Sequence, residues 1–340
     1  MDAYVHSDRQ CDSGRSRSSA PVRPVYAALD LGTNNCRLLI ARPTMSGFRV
    51  VDAFSRIVRL GEGVYNSAQL SDHAMERALA ALKVCGAKIQ RRGVTAARAV
   101  ATEACRSARN CDSFVEAVER ETGIVIEIIS SQEEGRLAIA GCASLLDPNI
   151  PHALVFDIGG GSTELMWLAL RPGQRPRLID QISIRRGVIG LAERYGGDRI
   201  APAQYRAMVE EVEALIEPFE ERNGIRALLA EGAVQMLGTS GTVTTLAGVH
   251  LGLARYDRRA VDGSFLRVDH ARDIIRRLVA LDFEGRARHA CIGIERADLV
   301  VAGCAVLEAI CDCCPVERLR IADRGLREGI LVDLIGSARG

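Results

Sequence analysis

The run Ala153-Leu154-Val155-Phe156-Asp157-Ile158-Gly159-Gly160-Gly161-Ser162-Thr163-Glu164-Leu165 narrows the folds open to this chain more than any other stretch. An apolar segment of strand character ends in an Asp, breaks into three glycines, passes a Ser-Thr pair and resumes as Leu165-Met166-Trp167-Leu168. Consecutive glycines carry no Cβ, so successive backbone amides can turn into one concavity, and the hydroxyls add donors. A plain hairpin turn needs only one or two glycines. The surplus points to phosphate, with Asp157 and Glu164 placed to hold Mg²⁺ beside its oxygens. The segment Val25 to Ile40 has the same grammar of strand, Asp30-Leu31-Gly32, polar turn and strand. Aligning Asp30 with Asp157 superposes Gly32 on Gly159, Asn35 on Ser162 and Leu38 on Leu165. Self-similarity at this spacing predicts two related lobes, each presenting a phosphate-facing hairpin.

A chain of 340 residues has room for two such lobes with sizeable cores. Its net charge of +1 leaves no overall basic footprint for nucleic acid or an anionic membrane, so a polyanion must be met locally. Lys83 and Lys88 are the only lysines, so phosphates would be met by Arg forks. Eleven scattered cysteines in a chain of this length favour a reducing cytoplasm. Cys311-Asp312-Cys313-Cys314 has no second Cys or His pair at zinc spacing, which argues against a zinc site. Residues 1–24, rich in Ser, Arg and Asp with no apolar core, are expected to be a disordered tail, neither signal peptide nor anchor. No later stretch has the roughly 18 uninterrupted apolar residues that would span a bilayer.

Along the first lobe, Phe48 to Phe54 reads as a third strand, and Arg56 to Gly63 as a loop with two arginines and two glycines. A helix from Ser71 carries Met75, Leu79, Leu82 and Ile89 on one face and stops at Gly93. A strand at Ala97 to Ala101 delivers Thr102 to Asn110 at its end, where open α/β sheets place ligands, making Arg106 a candidate phosphate fork. A helix over Asp112 to Thr122 and a buried strand over Ile124 to Ile129 follow. In Ser130-Ser131-Gln132-Glu133-Glu134, both Ser-Glu spacings are those of a capping box, and the pattern alone favours capping for these glutamates. The second lobe repeats the hairpin, a third strand over Leu178 to Ile184 and a glycine-marked turn at Arg185-Arg186-Gly187. A helix runs from Pro202 to about Arg222. The strand Ala233 to Leu237 then empties into Gly238-Thr239-Ser240-Gly241-Thr242, a loop opening a helix whose amides and dipole suit an anion. A strand over Arg318 to Asp323 and a helix over Arg324 to Ile335 close the chain.

Six segments occur together and in order: Asp30 to Asn35, Ala101 to Arg106, Ile129 to Glu134, Asp157 to Glu164, Gly238 to Thr242, and Asp323-Arg324-Gly325-Leu326-Arg327-Glu328-Gly329. In this combination the chain resembles the exopolyphosphatase/guanosine pentaphosphate phosphatase (Ppx/GppA) family over about residues 25 to 336. The resemblance implies an α/β protein with the two-lobed fold of actin, Hsp70 and sugar kinases, a duplicated ribonuclease H-like domain and an active-site cleft between lobes. Residues 25–131 plus about 324–340 would form domain I, and 132–323 domain II. The implied chemistry is Mg²⁺-assisted hydrolysis of a terminal phosphoanhydride of inorganic polyphosphate or guanosine pentaphosphate, with no nucleic acid or membrane partner. A homodimer is left open. Glu134 matches the family's catalytic glutamate, which overrides the capping preference. Asp157 and Glu164 would serve the metal and the water. Thr33, Asn34, Asn35, Arg106, Gly159, Gly160, Gly161, Ser162, Thr163, Gly238, Thr239, Ser240, Gly241 and Thr242 would cradle phosphate.

There are departures from the family pattern. Thr33 and Asn35 stand where serines are usual, a mild change because donors remain. Gly135 replaces the usual Ala after the glutamate, and is expected to loosen the first helical turn by up to about 1 kcal/mol. Longer members carry a further helical domain after the Asp323–Gly329 motif, associated with gripping long polyphosphate and with guanosine pentaphosphate. Two other readings compete with hydrolysis: a phosphotransferase of the same fold, and a nucleotide- or polyphosphate-binding regulator without turnover.

Overall fold

The computed structural model describes residues 24–45 and 47–338. The tail expected over residues 1–24 lies outside the described residues, apart from Pro24. Two sheets organise the chain. The first has the order β3-β2-β1-β4-β5, from β1 (Tyr26–Leu31), β2 (Asn35–Thr44), β3 (Gly47–Ile57), β4 (Ala96–Ala101) and β5 (Ile126–Ile128). The second repeats that order as β8-β7-β6-β9-β11, from β6 (His152–Ile158), β7 (Thr163–Ala169), β8 (Arg177–Ile184), β9 (Val234–Thr239) and β11 (Arg318–Ala322). A short β10 (Phe265–Arg267) pairs antiparallel with β11 as an extra edge. Each lobe thus has an antiparallel hairpin followed by parallel strands, the duplicated ribonuclease H-like arrangement that the family resemblance implied.

The strands carrying the motifs are buried on both faces, and their period of two decides where each aspartate goes. In β1, Ala27, Leu29 and Leu31 enter the core beneath the Asp72–Arg91 and Cys111–Thr122 helices, while Tyr26 and Ala28 face the Leu326–Ser337 helix. Asp30 is next in line on that second face. In β6, Leu154, Phe156 and Ile158 enter the large core of the second lobe, and Ala153 and Val155 face the Ser131–Cys142 helix. Asp157 continues that face. Both aspartates are therefore aimed at the layer between the sheets.

That layer is a helix pair. The Ser131–Cys142 and Leu326–Ser337 helices pack along one another, and the latter also covers β1, β2 and β4. Glycine makes the crossing possible: a Cβ on Gly329 would stand 2.0 Å from the Leu137 carbonyl oxygen, and one on Gly141 2.1 Å from that of Gly325. Leu137 belongs to the first lobe's core, and Ala138, Ile139 and Cys142 to the second's.

Most boundaries shift by one to three residues from the sequence reading. The Asp72–Arg91 helix differs more: its buried strip is Ala74, Ala78, Ala81, Leu82 and Cys85, with Met75, Leu79 and Ile89 only flanking it. Small residues let this helix lie close to the sheet, so its larger apolar residues are displaced to the edge. Among the described residues no helix is long and apolar enough to cross a membrane. The ten described cysteines are free and buried.

Candidate active site

The two hairpin turns close in the same way. Gly32 N–H donates to the Asn35 carbonyl at 2.9 Å, and Gly159 N–H to the Ser162 carbonyl at 2.9 Å. In each loop two carbonyls are also occupied, and those of Thr33 and Gly160 are aligned. Gly61 donates to Thr33 O, and Val58 and Arg59 to Asn34 O; Val188 and Ile189 donate to Gly159 O and Gly160 O. With its oxygens engaged, each loop has amides left to meet an anion. The loops touch: a Cβ on Gly160 would lie 3.0 Å from Asn34 N, and one on Gly161 2.8 Å from Thr33 Oγ1. The glycines are needed for this approach, and none of the three has a positive φ. Thr163 Oγ1 is committed to the Arg186 carbonyl at 2.8 Å, so it offers its backbone only.

Glu134 lies in the first turn of the Ser131–Cys142 helix, but the cap is made by others. Ser130 Oγ accepts from Glu133 N–H at 3.2 Å, and the Glu133 side chain turns out to Arg98 and Arg136. Glu134 instead meets Arg106, whose Nη1 donates to its Oε2 at 2.8 Å and to the Ile129 carbonyl at 2.9 Å. The other edge of the same guanidinium holds Glu103, through Nε at 3.2 Å and Nη2 at 3.0 Å. Arg106, read as a phosphate fork, is thus the residue that aims Glu134. Gly135, expected to loosen this turn, sits where a Cβ would come within 3.0 Å of Gln181 Oε1 and 3.2 Å of Met166 Sδ. Its absence of a side chain lets the helix seat against β7 and β8.

Glu164 shares a face of β7 with the buried Met166 and Leu168, directly across from Asp157 in the ladder. Its Oε1 accepts from Ser162 Oγ at 2.6 Å and Ser183 Oγ at 2.8 Å, leaving the other oxygen open. Asp30, Glu134, Asp157 and Glu164 crowd together. Burial, then the charge of Glu164, pushes Glu134 up to about 8. Burial, then the charges of Glu134 and Asp30 against a countervailing Arg37, lifts Asp157 to about 7. Burial outweighs the two serine hydrogen bonds to raise Glu164 to about 7. Asp30 is raised by burial as well. Perturbation of this kind marks functional carboxylates, and this set calls for positive charge.

Three arginines missing from the sequence-derived set supply part of it. Arg37 on β2 stands across from Asp30. Burial lowers Arg296 and Arg327, and Arg37 lowers both further by repulsion. Arg37 thus lies near both of the other guanidiniums, and the three come from distant segments of the chain. Arg37 was legible, because the repeat aligns it with Glu164, and Arg327 stands in the last of the six motif segments; Arg296 gave no sequence signal. Glu103, buried among Arg106, Ser107 and Arg185, was also passed over.

The Gly238–Thr242 loop is used differently from the sequence reading. Gly238 is a packing glycine, where a Cβ would stand 2.5 Å from Phe156 Cζ. Thr239 Oγ1 donates to the Arg324 carbonyl at 2.9 Å. Thr242 fills the space left by Gly303, and its amide and that of Val243 donate to Ser240 Oγ. Ser240 is held at φ 151°, a backbone region nearly reserved for glycine and a form of strain concentrated at functional sites. A cavity of about 200 Å³ opens beyond the touching loops, lined by Thr33, Gly161, Tyr65, Arg185 and Arg194 among others. The four crowded carboxylates do not line it.

The donor set fits Mg²⁺. Asp157 and the open oxygen of Glu164 would be hard ligands, and a cation beside them would favour the ionised form that burial disfavours. Among the described residues no cluster of three or more His, Cys, Asp or Glu forms a metal cage, and Mg²⁺ needs none when phosphate oxygens and water complete its shell.

A family model described as the Ppx/GppA phosphatase family matches residues 39–338. The guanosine-5'-triphosphate,3'-diphosphate pyrophosphatase of Aeromonas hydrophila is 29% identical over 315 residues, covering 92% of this chain and 60% of that protein. The chain therefore spans about 60% of the length of this curated relative. The crystal structure of the Aquifex aeolicus Ppx/GppA family member aligns with a TM-score of 0.76 and 27% identity over 93% of this chain and 99% of that one. That of an exopolyphosphatase-like protein aligns at 0.82 and 29%, over 93% and 99%. With motifs, lobe topology and a family match over most of its length in agreement, the chain belongs to the Ppx/GppA phosphatase family.

Proposed function

We propose that this protein hydrolyses the terminal phosphoanhydride of guanosine pentaphosphate or inorganic polyphosphate in the cleft between its lobes, releasing orthophosphate, with Glu134 as the general base. The observation that carries the reading is Glu134 itself: a carboxylate pushed up to about 8, aimed by Arg106 and set beside a second carboxylate on β7. A base works best with a pKa near the working pH. The name of the Aeromonas relative supports the nucleotide as substrate, and that of the exopolyphosphatase-like structure supports polyphosphate.

In this mechanism the amides of residues 33–35 and 160–163 bind the terminal phosphoryl group, and Arg37, Arg296 and Arg327 hold the phosphates behind it. Asp157 and Glu164 would hold Mg²⁺, which when bound neutralises phosphate charge and polarises the anhydride. Glu134 takes the proton of the attacking water, and Arg106 keeps its carboxylate on that water. Phosphoryl transfer needs little covalent help, so positioning and charge compensation carry the rate. The cavity beyond the loops gives the rest of a long anion room beside Arg185 and Arg194, which would exchange their present partners Glu103 and Glu211 for it.

Glu134→Gln is the test. Orthophosphate release from either substrate falls by about 10²–10⁴-fold, the usual contribution of a positioned base, while substrate binding is retained. Melting does not drop, since the Ser130 cap is untouched. Near wild-type turnover would remove Glu134 from the chemistry; failure of the wild type on both substrates would remove the reading.

A further inference from the structure

The loop over residues 58–63 is bound to both lobes at once. On its own side, the amides of Val58 and Arg59 donate to Asn34 O at 2.9 and 3.0 Å, and Gly61 donates to Thr33 O at 2.9 Å. These carbonyls belong to the first phosphate loop. Across the cleft, Arg59 forks onto Asp298, with Nη1 to Oδ2 at 2.7 Å and Nη2 to Oδ1 at 2.9 Å, and adds the Glu295 carbonyl at 3.2 Å. Gly63 N–H reaches Glu193 Oε1 of the second lobe at 2.8 Å.

Both ends of the fork are fixed. Arg59 has φ 47°, a left-handed backbone that residues with a Cβ seldom adopt. That conformation persists where surroundings over-determine it, and here its amide is bonded to one lobe and its guanidinium to the other. On the far side a Cβ on Gly197 would stand 2.9 Å from Asp298 Cβ, so that chain closes tightly around the acceptor. The fully buried Arg286 staples the same region, donating to the carbonyls of Gly197, Asp198, Leu281 and Ala297. Arg286 forms its hydrogen bonds with backbone oxygens alone, which suits a rigid anchor and not a ligand site.

We infer that the Arg59–Asp298 fork is an interlobe clasp that sets the first phosphate loop in its closed position, making Arg59 a positioning residue for the reaction. Opening the lobes pulls on Arg59, and the pull passes through three backbone hydrogen bonds to Thr33 and Asn34. Closure and loop geometry are then one event. The clasp is bidentate, so Lys cannot replace Arg. This part rests on the function proposed above only for its kinetic consequence.

The test uses the full chain and two readouts. The first is amide hydrogen exchange of the peptide spanning 58–63, in wild type, Arg59→Ala, Asp298→Ala and the exchanged pair Arg59→Asp/Asp298→Arg. The expected result is exchange faster by about fivefold in each single variant, the scale of one exposed ion pair, with at least part recovered in the exchanged pair. The second readout is orthophosphate release: KM rises several-fold in the single variants with kcat changed less, and Arg59→Lys does not rescue. Unchanged exchange in Asp298→Ala overturns the clasp whatever the activity. Altered exchange with unchanged KM and kcat overturns the positioning role. A wild type without hydrolysis on either substrate defeats the proposed function alone, because exchange still reports on the clasp.

Discussion

Asp30 and Asp157 occupy the same place in the two lobes, and the lobes part at the residue facing each across the hairpin. Asp30 faces Arg37, whereas Asp157 faces Glu164. The closing hydrogen bond of each turn is copied, and so is the amide on the aligned carbonyls of Thr33 and Gly160. The first hairpin therefore sets a guanidinium beside its aspartate, although burial still raises Asp30. The second gathers two carboxylates raised to about 7 by burial, with Glu134 repelling Asp157 and Asp157 repelling Glu164. One scaffold, duplicated, thus presents an acid beside a base in one lobe and two acids in the other.

Removing either side chain separates the halves. Glu164→Gln keeps an acceptor for Ser162 and Ser183 and loses the charge, so hydrolysis falls by at least about 100-fold and the Mg²⁺ requirement rises. Arg37→Gln loses one charge-assisted contact of about 1.5–3 kcal/mol, so kcat/KM falls by about 10–100-fold with the Mg²⁺ requirement unmoved. Titrating Mg²⁺ against rate in both variants checks this. The same Mg²⁺ shift in both would break the comparison.

The pH dependence of stability sharpens it. Asp157 and Glu164 at about 7 and Glu134 at about 8 hold protons that the unfolded chain, titrating near 4, has released. Stability from these groups is complete below pH 4 and lost as pH rises through 7 and 8. The metal-free protein should melt at progressively lower temperature from pH 5 to 8.5. Mg²⁺ should restore the melting temperature at pH 8.5 more than at pH 5. Calorimetry of wild type and Glu164→Gln reads both, and the slope is shallower in the variant. A flat profile would mean that these carboxylates are not held protonated by the fold.

The smallest effect compares Gly32 with its aligned partner Gly159. A Cβ on Gly159 would stand 2.8 Å from Ser162 O, but one on Gly32 only 3.5 Å from Asn35 O, an ordinary contact. Gly159→Ala should cost about 1–3 kcal/mol through a forced backbone shift. Gly32→Ala should stay within about 1 kcal/mol of wild type. Equal losses in denaturant melts would show that the two turns are less different than their contacts.

Local pattern fixed the hairpins because strand, Asp-x-Gly and resumed strand need only neighbouring residues to form. The same pattern placed Asp30 and Asp157 by alternation along a doubly buried strand. It misjudged the Ser130–Glu134 turn, since capping spacing is satisfied by Ser130 alone and Glu134 is turned away by an Arg from another element. It also read Gly238 and Thr242 as phosphate donors when Phe156 and Gly303 claim them for packing. The sequence by itself determined the duplicated lobes and their two Asp-x-Gly hairpin turns. Only the tertiary structure decided which groups share the cleft. Arg106 with Glu134, Arg37 with Arg296 and Arg327, and Arg59 with Asp298 are joined by no local rule. Their charges interact because the helix crossing at Gly141 and Gly329 brings the two sheets together, and that contact is made between residues far apart in the chain.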